Sequence, residues 1–116
     1  MIDIKISPGE LIDKITILMI KKLHTSEVDK ELSDLIEVAE QHNVLDEKYV
    51  EDLFSINLKL WKIEDALRLH ERDLIFDDEF IELARSVYKL NDERFKVKSD
   101  INFKFNSDLK EIKIYP

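Results

Sequence analysis

The chain has 116 residues, the usual size of a single domain, and combines 44% hydrophobic with 38% charged residues but only one glycine and two prolines. This composition is typical of a protein built from amphipathic helices, and it excludes a disordered chain. Because there is no cysteine, the chain can form no disulfide, thiolate metal site or cysteine nucleophile.

The net charge of −8 is unevenly distributed. Residues 1–88 contain 11 Lys/Arg against 21 Asp/Glu, whereas residues 89–116 contain 7 against 5. A nucleic-acid-binding face needs a dense array of cations, so we expect no nucleic-acid partner. No apolar run reaches the ~18 residues of a membrane span, and the N-terminal segment lacks the pattern of a signal peptide. These features predict a cytoplasmic location without a membrane span.

The first two helices are predicted from capping residues and helical spacing. Ser7 is placed as the N-cap, Pro8 as the first helical residue and Glu10 as the second arm of a capping box. Apolar residues then recur at helical spacing to about His24, which predicts a wide buried face. Ser26 is expected to cap helix two, an outer helix with a narrower apolar stripe that ends at residues 41–43.

Helices three and four are predicted to be long and antiparallel. Asp46 or a neighbour begins helix three, which continues to Arg72. Asp77 or Asp78 caps helix four, which continues to Ile101 or beyond. The short connector at residues 73–76 folds the two helices into a hairpin, and each helix is expected to span roughly 40 Å.

Both ends of the chain alternate isoleucine with charged residues, at residues 2–6 and 111–115. Such alternation suits a half-buried strand, so these segments can pair as short strands. The predicted fold class is therefore all-α: one domain, residues 1–116, forming an up-and-down bundle of four helices with a long hairpin. Two long helices beside two short ones leave apolar surface uncovered, which predicts a homodimer.

Few residues have the spacing that catalysis or metal binding requires. The three histidines lie near predicted helix ends without the spacing of a shared metal site. Glu10 and Asp13 are three residues apart on one helix, as are Glu37 and Glu40, and such pairs can bind Mg²⁺. An all-α, metal-assisted hydrolase of phosphorylated substrates, similar to a nucleotide pyrophosphatase, is therefore the alternative function. The leading interpretation needs no cofactor.

Polar residues interrupt the apolar faces of helices three and four. Asn57 shares a stripe of helix three with Trp61 and Glu64, and Asn91 shares a stripe of helix four with Lys98 and Asn102. Folding the hairpin is expected to bring Glu64 and Asp65 opposite Arg85, Trp61 near Tyr88 and Asn91, and Asn57 near Arg94. The candidate ligand-binding residues are Trp61, Glu64, Asp65, Arg68, Arg85, Tyr88, Asn91 and Asp92.

Two interpretations of this polar cluster remain open at the level of sequence. Buried charges are costly unless they are paired, so the residues can form a salt-bridge network that fixes the register of the two helices. Alternatively, they line a ligand pocket with aromatic walls, arginines that bind anions and carboxylates that act as acid, base or metal ligands.

Three segments resemble a family of short bacterial proteins classed as a domain of unknown function. They are Ser7-Pro8-Gly9-Glu10-Leu11 with Asp13-Lys14; Leu60-Trp61 with Ile63-Glu64-Asp65; and Glu82-Leu83-Ala84-Arg85-Ser86-Val87-Tyr88 with Asn91-Asp92 and Arg94. The resemblance covers most of the chain. It implies a setting among glycosyltransferase and surface-polysaccharide genes, but no reaction. The function expected is therefore a small helical accessory module that binds itself and a partner protein, in a carbohydrate or glycosyltransfer pathway.

Overall fold

The computed structural model describes residues 1–116 and contains four α-helices. They are α1 (Pro8–Lys22), α2 (Asp29–Gln41), α3 (Glu47–Asp73) and α4 (Asp78–Lys104). Helix α1 packs against the other three, α3 packs against α4, and α2 packs only on α1. The all-α, four-helix prediction is confirmed. None of the helices is long and apolar enough to cross a membrane.

Helix α1 is the centre of the core because it is apolar on most of its circumference. Ile12, Ile15 and Ile20 are almost completely inaccessible to solvent, and Ile12 and Ile15 pack with Leu53 of α3 and Ile101 of α4 among others. Burying side chains of this size contributes about 1.5–3 kcal/mol each. A helix that contacts three others can place its polar residues where several elements meet, which is how α1 positions the site described below.

Three of the predicted helix starts are confirmed by capping hydrogen bonds. Ser7 Oγ accepts from the Glu10 amide at 3.2 Å, Asp46 Oδ1 accepts from the Lys48 amide at 3.0 Å, and Asp77 Oδ1 accepts from the Phe80 amide at 3.0 Å. Each satisfies an amide that has no partner within its helix.

Two details of capping were predicted incorrectly. The N-cap of α2 is Val28, which has no side-chain acceptor, and not Ser26. The Glu10 side chain does not return to the Ser7 amide as a capping box requires, because it forms an ion pair with Lys98 at 2.7 Å instead. One of the two hydrogen bonds of the predicted capping box is therefore replaced by a tertiary ion pair.

The α3–α4 hairpin is longer than the helices that cover it. Each of its helices has 27 residues, or about 40 Å, whereas α1 has 15 and α2 has 13. The last buried residue of α3 is Leu60 and the first of α4 is Lys98, so no residue between 61 and 97 is buried. We call residues 61–97 the distal hairpin.

The terminal segments do not form strands. Residues 1–6 are exposed, and none of their backbone groups takes part in a backbone hydrogen bond. Residues 107–116 contain no strand either, but contact α4 through side chains. The prediction of short terminal strands is therefore wrong, and the physical reason is that a two-stranded ribbon is only marginally stable without further support.

Candidate functional site

The site is built around Asp13, a carboxylate on the buried face of α1. Its side chain is only 4% exposed. Arg94 of α4 binds it with two hydrogen bonds, from Nε to Oδ1 at 2.9 Å and from Nη2 to Oδ2 at 2.6 Å. Asn57 of α3 donates a third hydrogen bond from Nδ2 to Oδ1 at 2.9 Å. One carboxylate therefore joins three helices.

The groups around Asp13 satisfy one another. Asn57 Nδ2 also donates to Thr16 Oγ1 at 2.9 Å, and the Thr16 hydroxyl donates to the Asp13 carbonyl at 2.7 Å. A buried carboxylate is costly unless it is paired and fully hydrogen-bonded, and here both conditions are met. The hydrogen bond to Asp13 raises the pKa of Arg94 above its ordinary value, so the guanidinium is always charged.

Lys98 is the centre of a second group of ion pairs, beside the hydrogen-bond network of Asp13. Its side chain is 8% exposed, and its Nζ lies 2.7 Å from Glu10, 3.5 Å from Glu111 and 4.0 Å from Asp13. The buried Oε2 of Glu111 has no hydrogen-bond partner, so its interaction with Lys98 is purely ionic. The three carboxylates are balanced by Lys98, Arg94 and the Lys113 ammonium, 3.5 Å from Glu111.

The C-terminal segment lies along α4 over this cluster. Lys113 Nζ lies 5.8 Å from the centre of the Phe95 ring, and the Tyr115 hydroxyl donates to Asp92 Oδ1 at 3.1 Å. Desolvation against α4, together with the bond to Asp92, raises the pKa of Tyr115. The segment therefore shields one side of the Lys98 cluster.

A cleft of about 270 Å³ opens beside the Asp13–Arg94 pair, where α1 leaves the groove between α3 and α4. Its apolar lining comes from Ile17, Ile20, Leu60 and Trp61. Its polar lining comes from Asn57, Glu64, Asn91 and Arg94. The Trp61 ring stacks on His24 with centroids 5.3 Å apart, which fixes its orientation. Arg94 faces the cleft but is already bound to Asp13, so it offers little free charge to a ligand.

Comparison with known families assigns almost the entire chain to one of them. Residues 2–116 match DUF6165, a family of unknown function. The chain belongs to this family. No curated protein and no solved structure matches the chain. The resemblance predicted from the sequence motifs is therefore confirmed at the level of the family.

The structure brings together only some of the candidate residues. Trp61, Glu64 and Asn91 line the cleft, and Arg68 lies beside Glu64 in the adjoining groove. The remaining candidates, Asp65, Arg85, Tyr88 and Asp92, are exposed and lie outside the cleft.

Two predicted contacts of the hairpin are wrong. Arg85 does not meet Glu64 or Asp65, but pairs with Glu82 at 3.3 Å on its own helix. Tyr88 does not join Trp61 in a pocket wall, since it is 58% exposed. The reason is geometric: these side chains point away from the groove that α1 occupies, and the distal hairpin has no third helix to bury them.

The Glu10–Asp13 pair does not form an open metal site. Both oxygens of Asp13 accept hydrogen bonds from protein donors, and Lys98 occupies the space between Asp13 and Glu10. No group of three or more His, Asp or Glu side chains is arranged to hold a metal ion. The arrangement is one that stabilises helix packing.

Sequence reasoning noticed Asn57, Arg94 and Lys98 but did not place them in the site. The sequence did indicate that these residues are important, because each is a polar residue on a helix face that is otherwise apolar. Their partner was not predicted, because Asp13 lies on α1, whereas the sequence pattern predicted pairing between α3 and α4. The prediction that Asn57 lies near Arg94 is confirmed, since both donate to the same oxygen of Asp13.

Proposed function

We propose that this member of DUF6165 is an interaction module that acts as a homodimer, and that the distal hairpin is its dimerisation surface. The observation that carries the proposal is that no residue between 61 and 97 is buried, although this segment includes more than half of the two longest helices. Helical hairpins are stabilised by burying an apolar face, and two helices alone cannot bury both of theirs.

The groove between α3 and α4 is filled in one half and empty in the other. Helix α1 occupies it as far as the cleft, and beyond the cleft it continues as an open space of about 390 Å³. Leu67, Phe80 and Ala84 supply its apolar lining. A second hairpin packed here would complete a four-helix arrangement of the same kind as the proximal half.

The exposed area of the chain matches what a dimer would bury. A compact monomer of 13.8 kDa exposes about 6,600 Å². This chain exposes 8553 Å², an excess of roughly 1,900 Å², and its radius of gyration of 16.0 Å exceeds the ~13 Å of a compact chain. Although the terminal segments contribute part of this excess, half of it already reaches the ~800 Å² that each partner buries in a standard interface.

The charges of the groove favour a second copy as the occupant. Arg68 lies between Glu64 and Glu71 along α3, and none of the three forms an ion pair within the chain. A surface that contains both signs can pair with itself across a two-fold axis. With the two-fold axis midway between Arg68 and Glu71, the arginine of each copy faces Glu71 of the other.

The proposal is tested by the molar mass in solution, measured by light scattering over a range of concentrations. The wild type is expected at twice 13.8 kDa. Ala84→Glu places a further carboxylate beside the apolar residues Leu67 and Phe80 of the groove and should yield a monomer. The control is Ser55→Glu, an exposed position of the proximal half of α3, which should remain a dimer. A wild type that stays monomeric at high concentration refutes the proposal.

The accessory role in carbohydrate transfer is part of the same proposal and is supported by the family resemblance. It is tested by mixing the purified dimer with a purified bacterial glycosyltransferase of surface-polysaccharide synthesis and measuring whether a complex forms. Complex formation that the Ala84→Glu variant abolishes would support this role. A glycosyltransferase that binds neither form contradicts it.

A further inference from the structure

The cleft beside Trp61 contains an amide oxygen that is not used by the fold. Asn57 is 5% exposed, and its Nδ2 donates to Asp13 and to Thr16. Because a carboxylate can only accept, the contact with Asp13 fixes the orientation of the amide. Asn57 Oδ1 therefore has no partner in the chain. It is not sealed in the interior either, since the one fully buried side-chain atom without a partner is Glu111 Oε2.

Asn91 of α4 supplies the complementary hydrogen-bonding group. Its Oδ1 accepts from Arg94 Nη1 at 3.4 Å. A guanidinium can only donate, so the amide is oriented with its oxygen toward Arg94, and its Nδ2 is left without a partner in the chain. Glu64, which lines the same cleft, adds a carboxylate with no ion pair in the chain. The cleft therefore offers acceptors at Asn57 and Glu64 and a donor at Asn91.

The rest of the lining is apolar and includes one aromatic ring. Ile17, Ile20 and Leu60 are aliphatic, and the Trp61 ring is held in place by its stacking on His24. The volume of about 270 Å³ is close to the lower end of the ~300–1,000 Å³ of small-molecule pockets. Such a cleft accommodates a compact ligand of one ring that has both an apolar face and a polar edge.

The charges and unpaired atoms of the cleft narrow the class of ligand. An anion is disfavoured, because Arg94 is already bound to Asp13 and the Glu64 carboxylate is free. A wholly apolar ligand would leave the unpaired atoms of Asn57 and Asn91 without partners and away from water, which is costly. A cation would pair with Glu64 but would leave the Asn91 donor unused. Hydroxyl groups both donate and accept, so a neutral polyhydroxylated ring satisfies all three polar side chains.

We infer that the Trp61 cleft binds a neutral sugar in its pyranose form. The C–H face of the sugar packs on Trp61 and the aliphatic side chains, since C–H groups are attracted to the negative face of an aromatic ring. Its hydroxyls donate to Asn57 Oδ1 and to Glu64 and accept from Asn91 Nδ2. All of these groups belong to one chain, so the inference goes beyond the proposed homodimer and does not require it.

Binding is measured through the fluorescence of Trp61, which is the only tryptophan of the chain and lies in the cleft itself. The ligands are the methyl glycosides of glucose, galactose and mannose, and saturation-transfer NMR is recorded in parallel. At least one glycoside should bind saturably, with a dissociation constant of about 1 mM or less. Glucose 6-phosphate should bind more weakly than glucose, because the cleft has a free carboxylate. Absence of binding of all three glycosides by both methods, or tighter binding of the phosphate, overturns the inference.

Two variants assign the binding to the polar side chains of the cleft. Asn91→Ala removes the free donor and Glu64→Ala removes the free carboxylate, and each should raise the dissociation constant about fivefold. Glu64 is exposed and has no ion pair to lose, so its replacement leaves the fold intact. Asp65→Ala, at the adjacent exposed carboxylate outside the cleft, is the matched control and should leave the constant unchanged. Equal constants for the wild type and both cleft variants would overturn the inference.

The Ala84→Glu variant separates sugar binding from dimerisation, because Ala84 lines the distal groove but not the cleft. It should bind the glycoside with the constant of the wild type. Sugar binding by a protein that is monomeric throughout would refute the homodimer and support this inference. Loss of sugar binding in Ala84→Glu, with the wild type binding, would place the ligand at the interface of two copies and overturn the assignment to the cleft.

Discussion

Asp13 shows how one residue can fix the packing of three helices. Its carboxylate has no exposed oxygen to offer a ligand, and its partners come from α3 and α4. An ion pair of this kind gives little net stability relative to an apolar core, but removing one partner leaves a buried charge uncompensated. We therefore assign the pair a structural role, with specificity of helix register as its consequence.

Arg94→Ala should destabilise the protein by about 3–5 kcal/mol, because it leaves Asp13 charged and buried. Arg94→Lys should recover only part of this loss, since an ammonium cannot reproduce two parallel hydrogen bonds. Chemical denaturation provides the measurement. Arg85→Ala, at an exposed arginine whose only ion pair is within its own helix, is the matched control and should change stability by less than about 1 kcal/mol. Equal effects of Arg94→Ala and Arg85→Ala would contradict the structural role.

Gly9 is required by a close approach between α1 and α4. Its amide donates to Asn102 Oδ1 at 2.7 Å, and an added Cβ would lie 2.7 Å from the Lys98 carbonyl oxygen. Glycine to alanine in a helix normally stabilises by roughly 0.5–1 kcal/mol. Here the sign should be reversed, with a loss of about 1–3 kcal/mol for Gly9→Ala in a thermal melt. A raised midpoint would show that α4 can move away without penalty.

At the scale of elements, the starts of the helices were largely predictable and their tertiary partners were not. Ser7, Asp46 and Asp77 cap the helices as expected because capping depends on residues within one turn. The partner of Glu10 could not be read from local sequence, because Lys98 is 88 positions away. For the same reason, the polar stripes of α3 and α4 were recognised correctly but were paired with each other and not with α1.

The start of α3 and the end of α4 are joined by Asp46, which accepts a hydrogen bond from the Lys104 ammonium. This bond, with those from the capped amides, lowers the pKa of Asp46 below its ordinary 3.8. The folded state thus binds the proton less tightly than the unfolded state. The contribution of Asp46 to stability is present above pH 3.8 and is lost as the pH falls through the lowered pKa.

The contribution of the Asp46–Lys104 hydrogen bond is tested by urea denaturation of the wild type and of Asp46→Asn from neutral to strongly acidic pH. We expect the wild type to be more stable at neutral pH and the difference to shrink below pH 3.8. Lys104→Gln should reduce the acid dependence in the same way. A difference that stays constant with pH would contradict this account of Asp46, because the hydrogen bonds from Lys104 and from the capped amides all favour the charged carboxylate.

For the whole molecule, the unequal lengths of the helices are the feature from which the proposed homodimer follows. The fold class and the excess length of α3 and α4 could be predicted from periodicity, and the homodimer remains a prediction from that mismatch. The site could be predicted only in part. A hairpin aligned by residue count places Trp61 and Asn91 at similar levels, and both line the cleft. Alignment of the hairpin by residue count does not predict the direction in which a side chain points. Tyr88 and Arg85 face solvent because α1 ends before it reaches them.

Dimerisation through the distal hairpin is best tested by hydrogen exchange, followed residue by residue at two protein concentrations, because this measurement locates the interface as well as detecting association. Amides of residues 61–97 should be protected at high concentration and should exchange faster on dilution, while those of α1 keep their protection. If exchange in the distal hairpin is the same at both concentrations while the protein is shown to associate, the dimer uses another surface and the account is contradicted.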